Sequence, residues 1–163
     1  MDFIASLHPK FVHFPIALFL SYTLLEIIGI TFKRESFNKA AYMILLLSLL
    51  GAVAAVLTGD QASQAAEKLS DLLANSSFSI PLGAIERHED FANFSMWYIV
   101  SLAVIRTYLV IKKKFTGWLK YSFIVLSLIG SIIIFETALL GGKLVYQYGV
   151  GTDLIKPENV QIK

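Results

Sequence analysis

The chain contains no cysteine, and that single absence removes disulfides, thiolate metal sites, a cysteine nucleophile and covalent c-type haem attachment. Histidine is scarce as well. His8, His13 and His88 are the only three, and they are the strong nitrogen ligands that remain. Charge is sparse at 16% of residues, with a formal net charge of +2. The basic residues cluster beside apolar runs instead of interleaving with aromatics along a surface, which argues against a nucleic-acid-binding face. No G-x-S-x-G, H-E-x-x-H, P-loop or G-x-G-x-x-G pattern occurs, so hydrolase, zincin and nucleotide-binding readings have no support.

What the chain has in abundance is apolar length. Its 163 residues are 56% hydrophobic, above the ~45–50% usual for soluble domains. A helix needs about 20 mainly apolar residues to cross a bilayer. Four stretches meet that need, roughly Phe11 to Phe32, Ala40 to Leu57, Phe91 to Ile111 and Tyr121 to Leu140. The fold class expected is an all-α membrane protein, a single four-transmembrane-helix bundle in a lipid bilayer. Met1-Asp2-Phe3 has no basic n-region and the first run is too long for an h-region, so that run reads as a retained helix.

Loop charge predicts the orientation, because short loops rich in Lys and Arg stay cytoplasmic. Lys33, Arg34 and Lys39 follow span 1, and Lys112, Lys113, Lys114 and Lys120 follow span 3. The loop after span 2 carries Asp60, Glu67, Asp71, Glu86, Glu89 and Asp90 against Lys68 and Arg87. Both termini are therefore expected on the non-cytoplasmic side. Within the acidic loop, Ala62, Ala65, Ala66, Leu69, Leu72 and Leu73 recur at helical spacing, which predicts a short amphipathic helix between spans 2 and 3. Asn75-Ser76-Ser77 ends it, and Pro81-Leu82-Gly83 turns the chain into span 3.

The unusual side chains gather toward the outer face: His8 and His13 at the start of span 1, Thr58-Gly59-Asp60 after span 2, His88 before span 3, and Glu136 near the end of span 4. One reading makes His13 and His88 the axial ligands of a b-type haem, since neutral imidazole ligates iron and helical bundles build such sites from facing helices. Gly51, Ala52, Ala54, Ala55, Ser127, Gly130 and Ser131 then leave room for the porphyrin; alternatively they only let helices approach closely. His8 and His13 lie about 500° apart on an ideal helix and do not share a face. His8 is then an interfacial residue, a partner behind the ligand or a haem-propionate contact. A copper or zinc site, or a transporter, built on the three histidines competes with haem, as do interfacial histidines that hold nothing.

Ionisable groups within spans need partners. Glu26 and Arg106 lie at matching depth and either pair or leave Arg106 to snorkel. Glu136 is a candidate to orient a ligating imidazole or carry a proton, or a buried neutral acid.

The residues Leu7-His8-Pro9-Lys10-Phe11-Val12-His13-Phe14-Pro15-Ile16-Ala17-Leu18, with Ala54-Ala55-Val56-Leu57-Thr58-Gly59 and Gly141-Gly142-Lys143-Leu144-Val145-Tyr146-Gln147-Tyr148-Gly149-Val150-Gly151, resemble the DUF2231 family of predicted bacterial membrane proteins. The resemblance covers nearly the whole chain. It implies a four-helix membrane module whose relatives occur with cytochrome-c-type domains, and His13 and His88 match positions expected to be functional. The expected function is a haem-b membrane protein transferring electrons near the outer face to a cytochrome or other redox partner. The alternative is a cofactor-free subunit or scaffold of a membrane complex, or a homo-oligomer. Gly141-Gly142 is expected to end the last helix, with Leu144 to Val150 extended as a lid or strap across the bundle.

Overall fold

The computed structural model describes residues 3–72 and 79–152. Among these, the elements are α1 (Phe3–Phe11), α2 (His13–Thr31), α3 (Glu35–Leu72), α4 (Leu82–Ile111) and α5 (Trp118–Tyr146). Counting α1 and α2 as one run, four helical stretches are long and apolar enough to cross a membrane. α2 packs on α3, α3 on α4, α4 on α5, and α5 returns to α2, which closes an up-and-down square. α1 rests on α3. One end of the square carries Lys33, Arg34, Lys112, Lys113 and Lys114, and the other carries Asp60, Glu67, Glu86 and Glu89; these are the basic and acidic ends below.

The first span is helical from Phe3, well before Phe11, with a break at Val12. Pro15 explains the break. It has no N–H to give the Phe11 carbonyl, and its ring crowds that carbonyl. The amphipathic segment after span 2 is helical as expected, but it is not a separate helix. It continues α3 to a length of 38 residues, or about 57 Å, against a hydrocarbon core of about 30 Å. Ala66 and Leu69 on this extension pack against a small cluster of Ile80, Ile85 and Leu144. That apolar contact holds the segment upright on the bundle. Met1, Asp2, Leu73 and the Asn75-Ser76-Ser77 turn lie outside the described residues.

The glycine-rich close also differs from expectation. Gly141 and Gly142 stay helical and α5 runs to Tyr146, so the Leu144–Val150 segment is not an extended strap. The turn comes at Gly149, whose φ is 67°, and it brings the Val150 N–H back to the Leu144 carbonyl at 2.9 Å. Continuing the helix satisfies backbone groups that a strand lying alone would leave unpaired. At the basic end α2 and α4 both close on a lysine in the left-handed conformation, Lys33 and Lys113. The next N–H reaches back five residues in each, Arg34 to Gly29 and Lys114 to Leu109. This closure usually uses glycine. Here it places positive charge at the negative end of each helix dipole.

Leu24, Leu50, Leu57, Val104, Ile132 and Phe135 face outward, which is favourable only where the surroundings are lipid. Apolar burial gives little drive between helices in lipid, so close approach and hydrogen bonds take its place. The Ser48 hydroxyl donates to the Pro15 carbonyl, Thr23 Oγ1 lies 3.0 Å from Ser131 Oγ, and Ser95 Oγ lies 2.7 Å from Thr137 Oγ1. Gly51 faces Pro15, and Gly130 faces the rings of Phe19 and Tyr98. Gly51, Gly130, Ser127 and Ser131 therefore serve helix approach; of the small residues, Ala52 and Ala55 border a cavity. A Cβ at Gly130 would stand 2.6 Å from Phe19 and 2.7 Å from Tyr98, and Phe19 is fully buried. Gly130→Ala is expected to destabilise the bundle by about 1–3 kcal/mol, the usual cost of overpacking, read as a lower midpoint of thermal unfolding in detergent.

The diagonal helices α2 and α4 have no backbone contact of their own. Arg106 spans the gap. Its two terminal nitrogens donate to the two Glu26 carboxylate oxygens at 2.5 and 3.1 Å, with both side chains buried. The guanidinium lies over the Phe115 ring, 3.2 Å from its centroid. Arg106 therefore pairs and does not snorkel.

Candidate functional site

The register of α2 decides which histidine faces inward. Pro15, Phe19, Tyr22 and Glu26 are its buried stripe. His8 lies seven residues before Pro15, about 700° around the helix and so close to the same face. His13 lies two residues before Pro15 and points the other way. In the structure His13 is exposed and lines neither cavity at the acidic end. The expected meeting of His13 with His88 is not what the fold brings together. His8 meets His88 instead, with ring centroids 6.4 Å apart and planes at 67°.

Each imidazole is seated on a glycine of a neighbouring helix. A Cβ on Gly59 would stand 3.0 Å from Cε1 of His8, and one on Gly141 would stand 3.0 Å from Cε1 of His88. These two glycines are needed for the space a missing Cβ leaves, not for backbone freedom. His8 Nδ1 lies 3.0 Å from the Ala55 carbonyl oxygen and 3.3 Å from Thr58 Oγ1. A carbonyl only accepts, so Nδ1 carries the proton and donates. The His8 Nε2 is left with its lone pair free. Thr58 Oγ1 sits 2.9 Å from the Ala54 carbonyl oxygen and 3.0 Å from that of Ala55, which fixes the hydroxyl behind the ring. The His88 ring lies beside the Thr137 backbone, yet its buried Nδ1 makes no hydrogen bond among the described residues.

The two rings stand where two cavities meet. The outer one, about 270 Å³, is bordered by Gly59, Asp60, Ser63, Glu89, Leu144 and Val150 as well as both histidines. A smaller one of about 70 Å³ lies deeper, against Pro15, Ala52, Ala55, Ala92, Ile99 and Ile134. Two carboxylates border the outer cavity. Glu89 accepts a hydrogen bond from Ser63 at 3.1 Å, and Asp60 one from Gln64 at 3.0 Å.

Glu136 is not among the site residues. It is exposed on α5 beside Phe135, while its neighbour Thr137 turns inward to Ser95. It stands behind neither histidine. Glu89 is the carboxylate the sequence reading missed, and its position next to His88 was the available signal. Among the described residues no group of three His, Cys, Asp or Glu side chains is placed to hold a metal ion. Among the described residues the site offers two imidazoles, with Asp60 and Glu89 engaged by Gln64 and Ser63 at its border.

No curated protein and no solved structure matches the chain. The match that exists runs over residues 5–154, to the family described as "Predicted membrane protein (DUF2231)". That span runs from within α1 to beyond the end of α5, with both histidines and both ring-seating glycines inside it, and the chain belongs to this family.

Proposed function

We propose that His8 and His88 hold a haem b between them, and that the protein transfers electrons at the acidic end of the bundle. The observation that carries this reading is the placing of the two rings. A metal with imidazoles on opposite sides, at a metal–nitrogen distance of about 2.0–2.1 Å, sets their centroids roughly 6 Å apart, whereas a tetrahedral ion draws them to roughly 5 Å. The separation here is 6.4 Å. Two imidazoles in contact, with no third His, Cys, Asp or Glu placed to complete a metal site among the described residues, suit a metal whose remaining positions are filled by a macrocycle. A copper or zinc ion held by protein alone lacks ligands in this site.

The surrounding residues fit such a ligand pair. The Ala55 carbonyl fixes the His8 ring and makes its Nε2 a stronger donor, as hydrogen bonds behind a ligating imidazole do. The buried Nδ1 of His88 makes no hydrogen bond among the described residues, which packing alone does not require. Room is the limiting factor, since about 270 Å³ is below the ~300–1,000 Å³ usual for ligand sites and a porphyrin is a large ligand, so the site must open to admit one. α1 is the element able to give way. It has no buried residue, it joins α2 where Pro15 can give no hydrogen bond back to Phe11, and it carries His8. A bound haem supplies one-electron chemistry; this chain supplies ligand orientation, an apolar floor, and the Asp60 and Glu89 charges at the opening.

By loop charge the acidic end faces outward from a bacterial cytoplasmic membrane, with both termini on that side. A cytochrome or other redox partner would dock there. The test is the visible spectrum, oxidised and dithionite-reduced, of protein purified in mild detergent from a haem-replete host. A Soret band with sharp reduced α and β bands is expected. Absence of every band overturns the reading, and stoichiometric copper or zinc without porphyrin replaces it with a metal site. A second reading, a cofactor-free subunit of a larger complex or a homo-oligomer, draws on Glu136. It is exposed beside Ile132 and Phe135, a costly place for a carboxylate unless another chain covers it.

A further inference from the structure

The largest cavity among those described lies at the opposite end, independent of the histidine pair. It has a volume of about 600 Å³ between the ends of α2, α3, α4 and α5. Its charged lining is lopsided. Lys33, Lys39, Lys113 and Lys120 border it, and Glu35 is the one carboxylate there. Glu35 is taken by Lys39 at 3.1 Å. Glu26 is taken by Arg106 from within. Lys33, Lys113 and Lys120 form no ion pair among the described residues.

Two further observations point to a ligand. Arg106 is 1% exposed and borders the cavity, and its Nε makes no hydrogen bond although both terminal nitrogens are engaged by Glu26. The backbone also fixes two of the lysines, since Lys33 and Lys113 occupy the left-handed closing positions of α2 and α4. The rest of the wall is apolar, with Ile30, Leu109, Val110 and Phe115. Cationic groups at the level of the helix ends, above an apolar wall, match an amphiphile with an anionic head. A free anion has no use for that wall.

We propose that this cavity binds the phosphodiester headgroup of an anionic phospholipid from the leaflet at the basic end, with the lipid's glycerol and upper acyl carbons against Ile30, Leu109 and Phe115. Basic pockets between transmembrane helices recognise such headgroups through charge and donor geometry. The lipid thereby ties the α2–α3 and α4–α5 connections together.

The test is native mass spectrometry of the full chain in detergent, with added dioleoyl phosphatidylglycerol, dioleoyl phosphatidylcholine or glycerol 3-phosphate as probes. Phosphatidylglycerol is expected to remain as a one-to-one adduct. Lys33→Gln/Lys113→Gln/Lys120→Gln is expected to weaken that adduct about tenfold or more. Arg34→Gln/Lys112→Gln/Lys114→Gln removes the same charge from residues that do not border the cavity, and is expected to leave the adduct intact. Equal loss in both triple variants reduces the effect to general surface charge and overturns the site. Equal retention of phosphatidylcholine overturns the anionic headgroup, and equal retention of glycerol 3-phosphate overturns the lipid as its source. If the first triple variant does not purify, Lys113→Gln and Lys120→Gln singly should each lower retention, and no change in either overturns the proposal.

Discussion

If the proposed haem is bound, His8→Ala and His88→Ala should each abolish its spectrum in the purified protein, while His13→Ala leaves it unchanged. The contrast between His8 and His13 is the informative part. All three histidines belong to the same end of the chain's spans, and a spectrum lost on any histidine substitution would mean only that this end is fragile. His13 is exposed and remote from the cavities, so its removal takes nothing from the site. His8 meets His88 and is oriented by Ala55, so its removal takes one of the two proposed ligands. Bands that persist in both His8→Ala and His88→Ala would exclude the pair as ligands. Loss in His13→Ala with retention in His8→Ala would mean that the first span turns its other face to the site. Circular dichroism of each variant separates loss of a ligand from loss of the fold.

The second large effect is expected at the other end of the same diagonal. Arg106→Ala or Glu26→Ala leaves one buried charge without its partner, a change that typically costs about 3–5 kcal/mol. Each single variant should unfold well below the parent temperature in detergent or fail to accumulate in the membrane. Removing both charges together, as Glu26→Leu/Arg106→Met, should recover much of the loss, because no charge then remains to be solvated. Arg106→Lys is expected to behave more like Arg106→Ala than its charge implies, since one ammonium cannot make two parallel bonds to the carboxylate or lie flat over Phe115. A double variant no more stable than either single one would mean that the pair's contribution is packing, not charge.

These two sites share a register that can be read along the chain. His8 precedes Glu26 by eighteen residues, and His88 precedes Arg106 by eighteen. Eighteen residues are five turns, about 27 Å, close to the thickness of the hydrocarbon core. The ion pair therefore marks the inward face of two helices, and both inward histidines lie on that face one membrane thickness away. His13, thirteen residues from Glu26, is well off it. The spacing that selects His8 was present in the sequence. It carries meaning only once Glu26 and Arg106 are known to pair, and sequence left that pairing open against snorkelling.

The sequence by itself determined the four apolar stretches, the all-helical class, the basic and acidic ends and the family. Each of these follows from composition summed along a segment, where transfer free energies add regardless of what lies alongside. Tertiary structure decided everything that depends on direction around a helix or on contact between helices. It carried α3 past the membrane because Ala66 and Leu69 found Ile80, Ile85 and Leu144 to pack on. It carried α5 through Gly141 and Gly142 to Tyr146 because a continued helix pairs the backbone groups there, and it set His88 against Gly141. It turned His8 inward because Pro15, Phe19, Tyr22 and Glu26 fix the buried face of the first span, and it turned Glu136 outward because Gly130, Ile134 and Thr137 take the inner face of α5. A hydropathy pattern has no azimuth in an all-apolar span, since lipid and bundle interior are equally apolar; polar contacts between helices supply it.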